Sequence, residues 1–394
     1  MRRAFLVSKV LSGVLLAATA ARAGGAKDDI GTRPAGAAVV AEGALAGDAG
    51  GQTPPPKLAD QPPCSGVECA PAAPPPRDLV VAEERPSNWY VLDAGLRTHR
   101  DTFIGLASLA AAQSRTERFY GVASLALIRN DAGSHFGLTQ VGIGRNLSDE
   151  FGGLAQVSLG ENRARYFYGL GQVTLGYNRS QEFVGALQLA GYNRVDESFG
   201  GALQLGGYNR AGGDFVGLAQ IGGFNAQGKE LFESHGDDST LWAIGQFGVV
   251  NYANAFRGLV QVGGMSAAHD FSGGLQIGVV AGAETFSGIA QIGAATVSER
   301  SYGGQIGLAN LALEQHTGAQ IGGGNYAESM RGVQVGLANI SDRASGVQIG
   351  VFNHAKRLRG LQIGLLNHAE DGVLEWSPLV NMGFDEGPKQ VGRR

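Results

Sequence analysis

The chain has 394 residues, a formal net charge of −4 and only 17% charged residues, so clustered Lys and Arg for a nucleic-acid partner are not expected. Its 64 glycines amount to about 16% of the chain, against a usual share of about 7%, and they do not follow the third-residue period of collagen. Such a content indicates many tight turns or closely packed backbones.

Residues 1–23 have the pattern of an export signal. Basic residues come first, a short apolar core follows at 10–20, and Ala21 and Ala23 form a small-x-small cleavage site. The apolar core is shorter than the roughly 20 residues that a membrane-spanning helix needs. We therefore expect a mature chain that begins near Gly24, outside the cytoplasm.

Residues 24–86 are predicted to be a disordered linker rich in Pro, Ala and Gly. Eleven of the thirteen prolines lie here, and such a segment buries too little apolar surface to offset the ordering of its backbone. Cys64 and Cys69 could close a small disulfide loop in an oxidising compartment, and their pairing stays open. No further Cys or His stands nearby at ligand spacing, so we expect no zinc site.

From residue 101 to residue 384 the chain consists of short repeats, and we expect a strand at 87–100 to cap them. A glutamine marks each unit, first every sixteen residues, then every fifteen, and finally every fourteen or fifteen. Ser108 and Ser124 extend the series backwards, which predicts about seventeen units. The glutamines are Gln140, Gln156, Gln172, Gln188, Gln204, Gln220, Gln246, Gln261, Gln276, Gln291, Gln305, Gln320, Gln334, Gln348 and Gln362.

Each unit alternates with a period of two residues. In one unit, Val333, Val335 and Leu337 share one face of an extended strand, and Gln334 lies on the other. This alternation predicts an all-β domain. We expect the Phe, Leu, Ile and Val residues at fixed positions in the repeat to fill a thin continuous core.

The recurring amides predict hydrogen-bonded ladders from unit to unit, because stacked Gln or Asn side chains can donate to and accept from their equivalents. The predicted structural ladder residues are Gln334, Gln348, Gln362, Asn339, Asn353 and Asn367.

Two architectures accommodate short β repeats. In a β-solenoid each unit is one coil of a parallel stack. In a transmembrane β-barrel of about eighteen strands, acting as an outer-membrane pore, neighbouring strands alternate in direction. Every unit here carries the same residues in the same order, which indicates equivalent surroundings and favours the solenoid.

The unit Gly346–Asn353, with the sequence GVQIGVFN, resembles the GVQIGxxN-type short repeats of a family of exported surface proteins from diderm bacteria. The resemblance covers residues 101–384 and is stronger in the second half, and the segment Trp376–Phe384 is similar to the closing segment of such proteins. The resemblance implies a location in the periplasm, the outer membrane or the cell surface. It implies no catalytic residues.

The insertion 226–242 is the one long interruption of the repeats. Insertions of repeat proteins form exposed loops, so this one is the candidate for contact with a partner. His354 and His368 follow equivalent asparagines and are expected at exposed corners of neighbouring coils. The candidate contact residues in the insertion are Glu230, Glu233, His235, Asp237 and Asp238.

The sequence therefore predicts an exported, non-enzymatic repeat protein with a structural or binding role. No Ser/His/Asp or Cys/His set and no phosphate-binding loop stands outside the repeat pattern. We expect no cofactor and no bound metal. The expected partner is an envelope or extracellular component, with membrane association left open, and residues 385–394 are predicted to be a disordered tail.

Overall fold

The computed structural model of the protein describes residues 89–229 and 237–384. The predicted signal peptide, the linker with Cys64 and Cys69, the first two residues of the 87–100 strand and the tail lie outside the described residues. Within the described ranges the chain is a β-solenoid without helices, as the repeat pattern predicted.

Many strands continue from one side of a coil to the next, so some are long and contain several coils. The strands are β1 (Trp89–Ala126), β2 (Arg129–Gly142), β3 (Arg145–Gly152), β4 (Ala155–Val157), β5 (Glu161–Tyr168), β6 (Gly171–Val173), β7 (Tyr177–Val195), β8 (Phe199–Ala211), β9 (Phe215–Val216), β10 (Ala219–Gln227), β11 (Thr240–Ile277), β12 (Val280–Ala369) and β13 (Trp376–Gly383).

The strand register equals the sequence period. β7 pairs with β8 sixteen residues apart, with Gln188 opposite Gln204, and β11 pairs with β12 fifteen residues apart, with Gln276 opposite Gln291. These pairings are parallel, and β13 alone of the described strands pairs antiparallel, closing the last coil beside β12. The barrel alternative is therefore wrong, since its neighbouring strands would have to alternate in direction.

The interior of the coils contains a column of stacked aromatic rings. Their ring centroids are 4.5 to 5.1 Å apart, as the spacing of about 4.8 Å between strands requires. His135 takes one place in this column, between Phe119 and Phe151. The buried phenylalanines are Phe103, Phe119, Phe151, Phe167, Phe183, Phe199, Phe215, Phe256, Phe271 and Phe286.

The fifteen repeat glutamines point inward and form one continuous ladder. Each Nε2 donates to the Oε1 of the glutamine one coil earlier, at 2.6 to 3.0 Å, from Gln156 through to Gln362. In several coils the same Nε2 also donates to a backbone carbonyl, for example Gln261 to Ala267. Paired in this way, an amide can be buried without a large desolvation cost.

The asparagines form a second buried ladder that runs in the opposite direction. Each Nδ2 donates to the Oδ1 of the asparagine one coil later, at 2.7 to 3.1 Å, from Asn146 to Asn251 and again from Asn310 to Asn367. Ser266 and Thr296 stand in the gap and hydrogen bond to Ile277 O and to the Asn310 side chain. Outside this gap, neighbouring coils from Asn146 onward are therefore joined by side-chain hydrogen bonds at two inner positions, one Gln and one Asn.

The expectation that Leu, Ile and Val fill the core is wrong. Val333 and Leu337 are 37% and 67% exposed, whereas Gln334 is fully buried. The alternation of the strand was predicted correctly, but the side that faces inward is the polar one. The inner layer consists mainly of the amide ladders, the phenylalanines and small residues such as Ala344, with a few aliphatic residues such as Leu241 and Leu358, whereas the aliphatic residues beside the glutamines point outward.

Glycine is required at one corner of the shorter coils. Gly332, Gly346 and Gly360 have φ values of 127°, 132° and 137°, a conformation that other residues rarely adopt. A Cβ on Gly346 would lie 2.0 Å from the carbonyl oxygen of Gly332 in the preceding coil. The corner therefore fixes where the chain turns from one outer face to the next.

We predict that Gln334→Ala destabilises the protein far more than Leu337→Ala. The first substitution removes the donor to Gln320 Oε1, which is left buried and unpaired, and the acceptor that Gln348 Nε2 and Ser341 Oγ share, at about 2–5 kcal/mol in total. Gln348 Nε2 keeps only longer contacts, to Ser341 Oγ at 3.5 Å and to His354 O at 3.4 Å. The second shortens an exposed side chain and should cost less than about 1 kcal/mol. Denaturant unfolding followed by circular dichroism measures both values, and equal losses would contradict the ladder as the main tie between coils.

We predict that His135→Phe makes the protein less sensitive to acid. Burial lowers the pKa of His135 to about 4, with a smaller opposing contribution from the Thr139 backbone. The unfolded chain, with a His pKa near 6.5, binds the proton more readily, so stability is highest above pH 6.5 and falls as the pH drops to about 4, by about 3 kcal/mol at most. Phenylalanine fits between its two stacked neighbours and removes this loss.

Unfolding midpoints of the wild type and the variant between pH 7.5 and 4 measure the difference. His99→Phe is the control, because His99 is exposed and its replacement should leave the pH profile unchanged. A His135→Phe profile as steep as that of the wild type would contradict the prediction.

Candidate binding surface

The residues that directly follow the repeat positions of the glutamine ladder form a continuous apolar outer face. This position is large and apolar in every coil from Leu109 to Ile363, and none of these side chains is fully buried. Soluble proteins rarely expose a contiguous apolar patch of more than a few hundred Å² unless it binds something. The outer face is therefore the candidate binding surface of the described residues.

Near its two ends the outer face is hollowed into clefts, where a second aliphatic residue stands two positions further on. Each cleft has a volume of about 700 Å³. We call them the N-terminal cleft, with Leu125, Leu127, Val141, Ile143, Val157 and Leu159 among its walls, and the C-terminal cleft, with Val335, Leu337, Ile349, Val351, Ile363 and Leu365.

In the middle coils this second position is often glycine, as at Gly207 and Gly223. Here the outer face borders a column of half-buried aromatic rings, Tyr177, Tyr192, Tyr208 and Phe224, with centroids 4.4 to 5.0 Å apart. Their flat faces are covered by one another, which leaves ring edges to the solvent. This arrangement stabilises the stack and offers little face for a planar ligand.

Charges of both signs mix on the other outer side of the N-terminal coils. Arg129 pairs with Asp131, and Arg179 and Arg194 both contact Asp196 at 3.0 Å or less. Burial alone would raise the pKa of Asp196, but the hydrogen bonds from the two arginines outweigh it and hold the pKa below its usual value. Exposed pairs of this kind contribute little stability and leave no net field.

The C-terminal coils carry a second concavity of about 390 Å³ that is cationic. Four arginines and no acidic residue line it, and we call these residues, Arg331, Arg343, Arg357 and Arg359, the arginine edge. Arg343 lies 3.8 Å from Glu328. Among the described residues, Arg331 and Arg357 make no ion pair. The lining of this concavity is therefore positively charged.

The described part of the insertion holds the ends of the inserted loop together. Asp237 accepts the backbone N–H groups of Lys229 (2.7 Å) and Ser239 (3.0 Å), and the Asn254 side chain donates to its carbonyl at 2.6 Å. Burial would raise the pKa of Asp237, but the hydrogen bonds from Ser239 and Lys229 outweigh it and lower the pKa. These contacts give Asp237 a structural role.

Of the other predicted contact residues, Asp238 is exposed, and Glu230, Glu233 and His235 lie outside the described residues. Sequence reasoning missed Gln227 and Asn254, which complete the buried network with Ser239. Both lie at strand positions that the repeat does not mark, so no periodic signal identified them.

The two corner histidines are half-buried and stacked. The rings of His354 and His368 lie 4.8 Å apart, their Nδ1 atoms are 2.6 Å apart, and Trp376 of β13 covers His368. Burial and the neighbouring His368 lower the pKa of His354. At this Nδ1–Nδ1 distance, when both rings are neutral, one Nδ1 donates and the other accepts. Nitrogens this close leave no space for a metal ion between them.

Sequence analysis also did not identify a column of titratable side chains on successive coils. His269 contacts Glu284 at 2.9 Å, and Glu299 and Glu314 follow one and two coils later. Burial, together with the charges of Glu284 and Glu314, raises the pKa of Glu299. Within residues 89–229 and 237–384, no three His, Cys, Asp or Glu residues are grouped so as to hold a metal ion.

No family model, no curated protein and no solved structure matches this chain. In the part of the chain that the structure describes, no helix is both long and apolar enough to span a bilayer. Evidence on function therefore comes from the surfaces of the solenoid themselves.

Proposed function

We propose that this chain is an exported, non-enzymatic repeat protein with a structural or binding role at the envelope or surface of a diderm bacterium. The observation that carries this proposal is the apolar outer face, which extends from Leu109 to Ile363 and turns the hydrophobic side of every coil towards the solvent. Exposed apolar area of this extent is retained where a partner covers it.

The polar side chains of the ladders and of Asp237 serve to hold the fold together, which supports a binding role over a catalytic one. Most of the ladder Gln and Asn side chains donate and accept hydrogen bonds among themselves and with the backbone, and Asp237 accepts from backbone N–H groups. General acid–base or nucleophilic chemistry needs such groups aimed at an open pocket. The two open clefts of the outer face are instead lined by aliphatic side chains, which bind and do not react.

The N-terminal sequence supports export, since residues 1–23 combine a basic start, a short apolar core and a small-x-small site. The resemblance of Gly346–Asn353 to GVQIGxxN-type repeats of exported surface proteins supports the same location. A solenoid suits this role, because its stacked coils repeat the same outer side chains along one axis.

Export is tested by expressing the full chain in a diderm bacterial host and measuring the mass of the recovered protein. We expect a chain that starts at Gly24 or Gly25 and is recovered from the envelope or the medium. The double substitution Ala21→Asp and Ala23→Asp should block cleavage, because the processing site needs small residues. Ala38→Asp, in the linker, is the control and should be processed normally. An unprocessed cytoplasmic wild-type chain would contradict the proposal.

A further inference from the structure

We propose that the apolar outer face is the contact surface for a second copy of this chain, in a dimer with twofold symmetry. The inference rests on the binding role of the proposed function, and it names the partner that covers the face. Three properties of the face favour a second copy, namely its lack of charge, the spacing of its rows and its area.

The first property is the lack of charge. From two residues before to three residues after each of the fifteen ladder glutamines, Gln140 to Gln362, the sequence contains no Asp, Glu, Lys, Arg or His. Such a face is complementary to a partner that is equally apolar and uncharged. In an isologous dimer the face meets its own copy, so this condition is fulfilled along its whole length. Peripheral binding to a bilayer instead combines apolar side chains with basic ones, and these positions supply none.

The second property is the spacing of the rows. Equivalent residues of neighbouring coils stand opposite each other, as Ile277 and Ile292 do, and parallel strands lie about 4.8 Å apart. The outward side chains are therefore arranged in rows with one fixed spacing. A second copy has the same spacing, so its side chains can pack between those of the first over many coils. A partner with another spacing would fit over a few coils only.

The third property is the area of the face. Fourteen hydrogen-bonded steps lead from Gln140 to Gln362, and at about 4.8 Å for each step they correspond to about 67 Å. From one residue before the glutamine to three residues after it, the strand extends about 13 Å. The resulting area of about 900 Å² exceeds what monomers usually leave apolar and exposed. It matches the roughly 800 Å² that each partner contributes to a stable interface.

The middle coils are the part of the face that a twofold axis places in contact. Gln261 is the eighth of the fifteen ladder glutamines, and Val249 and Val279 stand three residues after the glutamines on either side of it. These two valines are 67% and 64% exposed. Whether the two copies point in the same or in opposite directions, the middle coils of one lie on the middle coils of the other. Both valines are therefore expected to be buried in the dimer.

The test is the mass of the chain in solution, measured by sedimentation equilibrium over a range of micromolar concentrations. The protein is recovered from the export host, and mass spectrometry verifies its N-terminus. We expect the wild type to have twice the mass of one chain. Val249→Glu with Val279→Glu should raise the dissociation constant at least tenfold, because carboxylates would be buried without partners in the contact.

The matched control is Val184→Glu with Val216→Glu. These valines are 49% and 56% exposed, and they stand four residues before their glutamines, outside the uncharged stretch. The control makes the same change in net charge and should remain a dimer. Circular dichroism verifies that both variants fold. If the first does not, Val249→Thr with Val279→Thr keeps the branched shape that suits a strand and should still weaken the dimer at least twofold.

Three outcomes would overturn the proposal. The first is a wild type that is monomeric over the whole concentration range, and co-sedimentation of that monomer with phosphatidylcholine vesicles would assign the face to a lipid surface. The second is a dimer that the variants of Val249 and Val279 leave unchanged. The third is a dimer that the control variant dissociates equally. Each of these leaves the export test intact, so the two proposals fail separately.

Discussion

The fold depends on the pairing of buried amides from coil to coil. A thin coil has little room for a hydrophobic core, and its interior positions are largely occupied by Gln, Asn, Phe and small residues. Gln334 illustrates the constraint, because it donates to Gln320 and accepts from Gln348, so it has satisfied partners only while the register is kept. The repeat is therefore a consequence of polar satisfaction, with each coil acting as the template for the next.

The same constraint produces the apolar exterior. In a strand, successive side chains point to opposite sides, so when the amide faces inward its aliphatic neighbours must face outward. Val335 and Ile349 lie outside for this reason, and burial in the core does not select them. We propose that contact with a partner covers this surface. The composition of the outer face is thus the most direct structural indication of a binding role.

Departures from the repeat have two different physical meanings. At the insertion, Asp237 and Asn254 form hydrogen bonds that close the base of a loop, which is a structural use of polar residues. At the C-terminal end, Arg331 and Arg357 line a cationic concavity, and Leu379 is exposed with a positive φ. The second kind of departure has no partner within the repeat itself.

The sequence by itself determined that the repeat domain is all-β, and the recurrence of Gln at fourteen to sixteen residues with the same order of residues in every unit favoured parallel coils over a barrel. It could not decide which side of the strand faces inward. A period of two residues places one set of side chains on each side of the strand and does not say which set is buried. The general preference for burying aliphatic residues predicted that the aliphatic side faces inward, and this was wrong. Only the tertiary structure resolved this, since amides can be buried when neighbouring coils supply hydrogen bonds, as Asn353 does for Asn339. The arginine edge likewise depends on stacking, which brings Arg331 and Arg357, far apart in the chain, to one concavity.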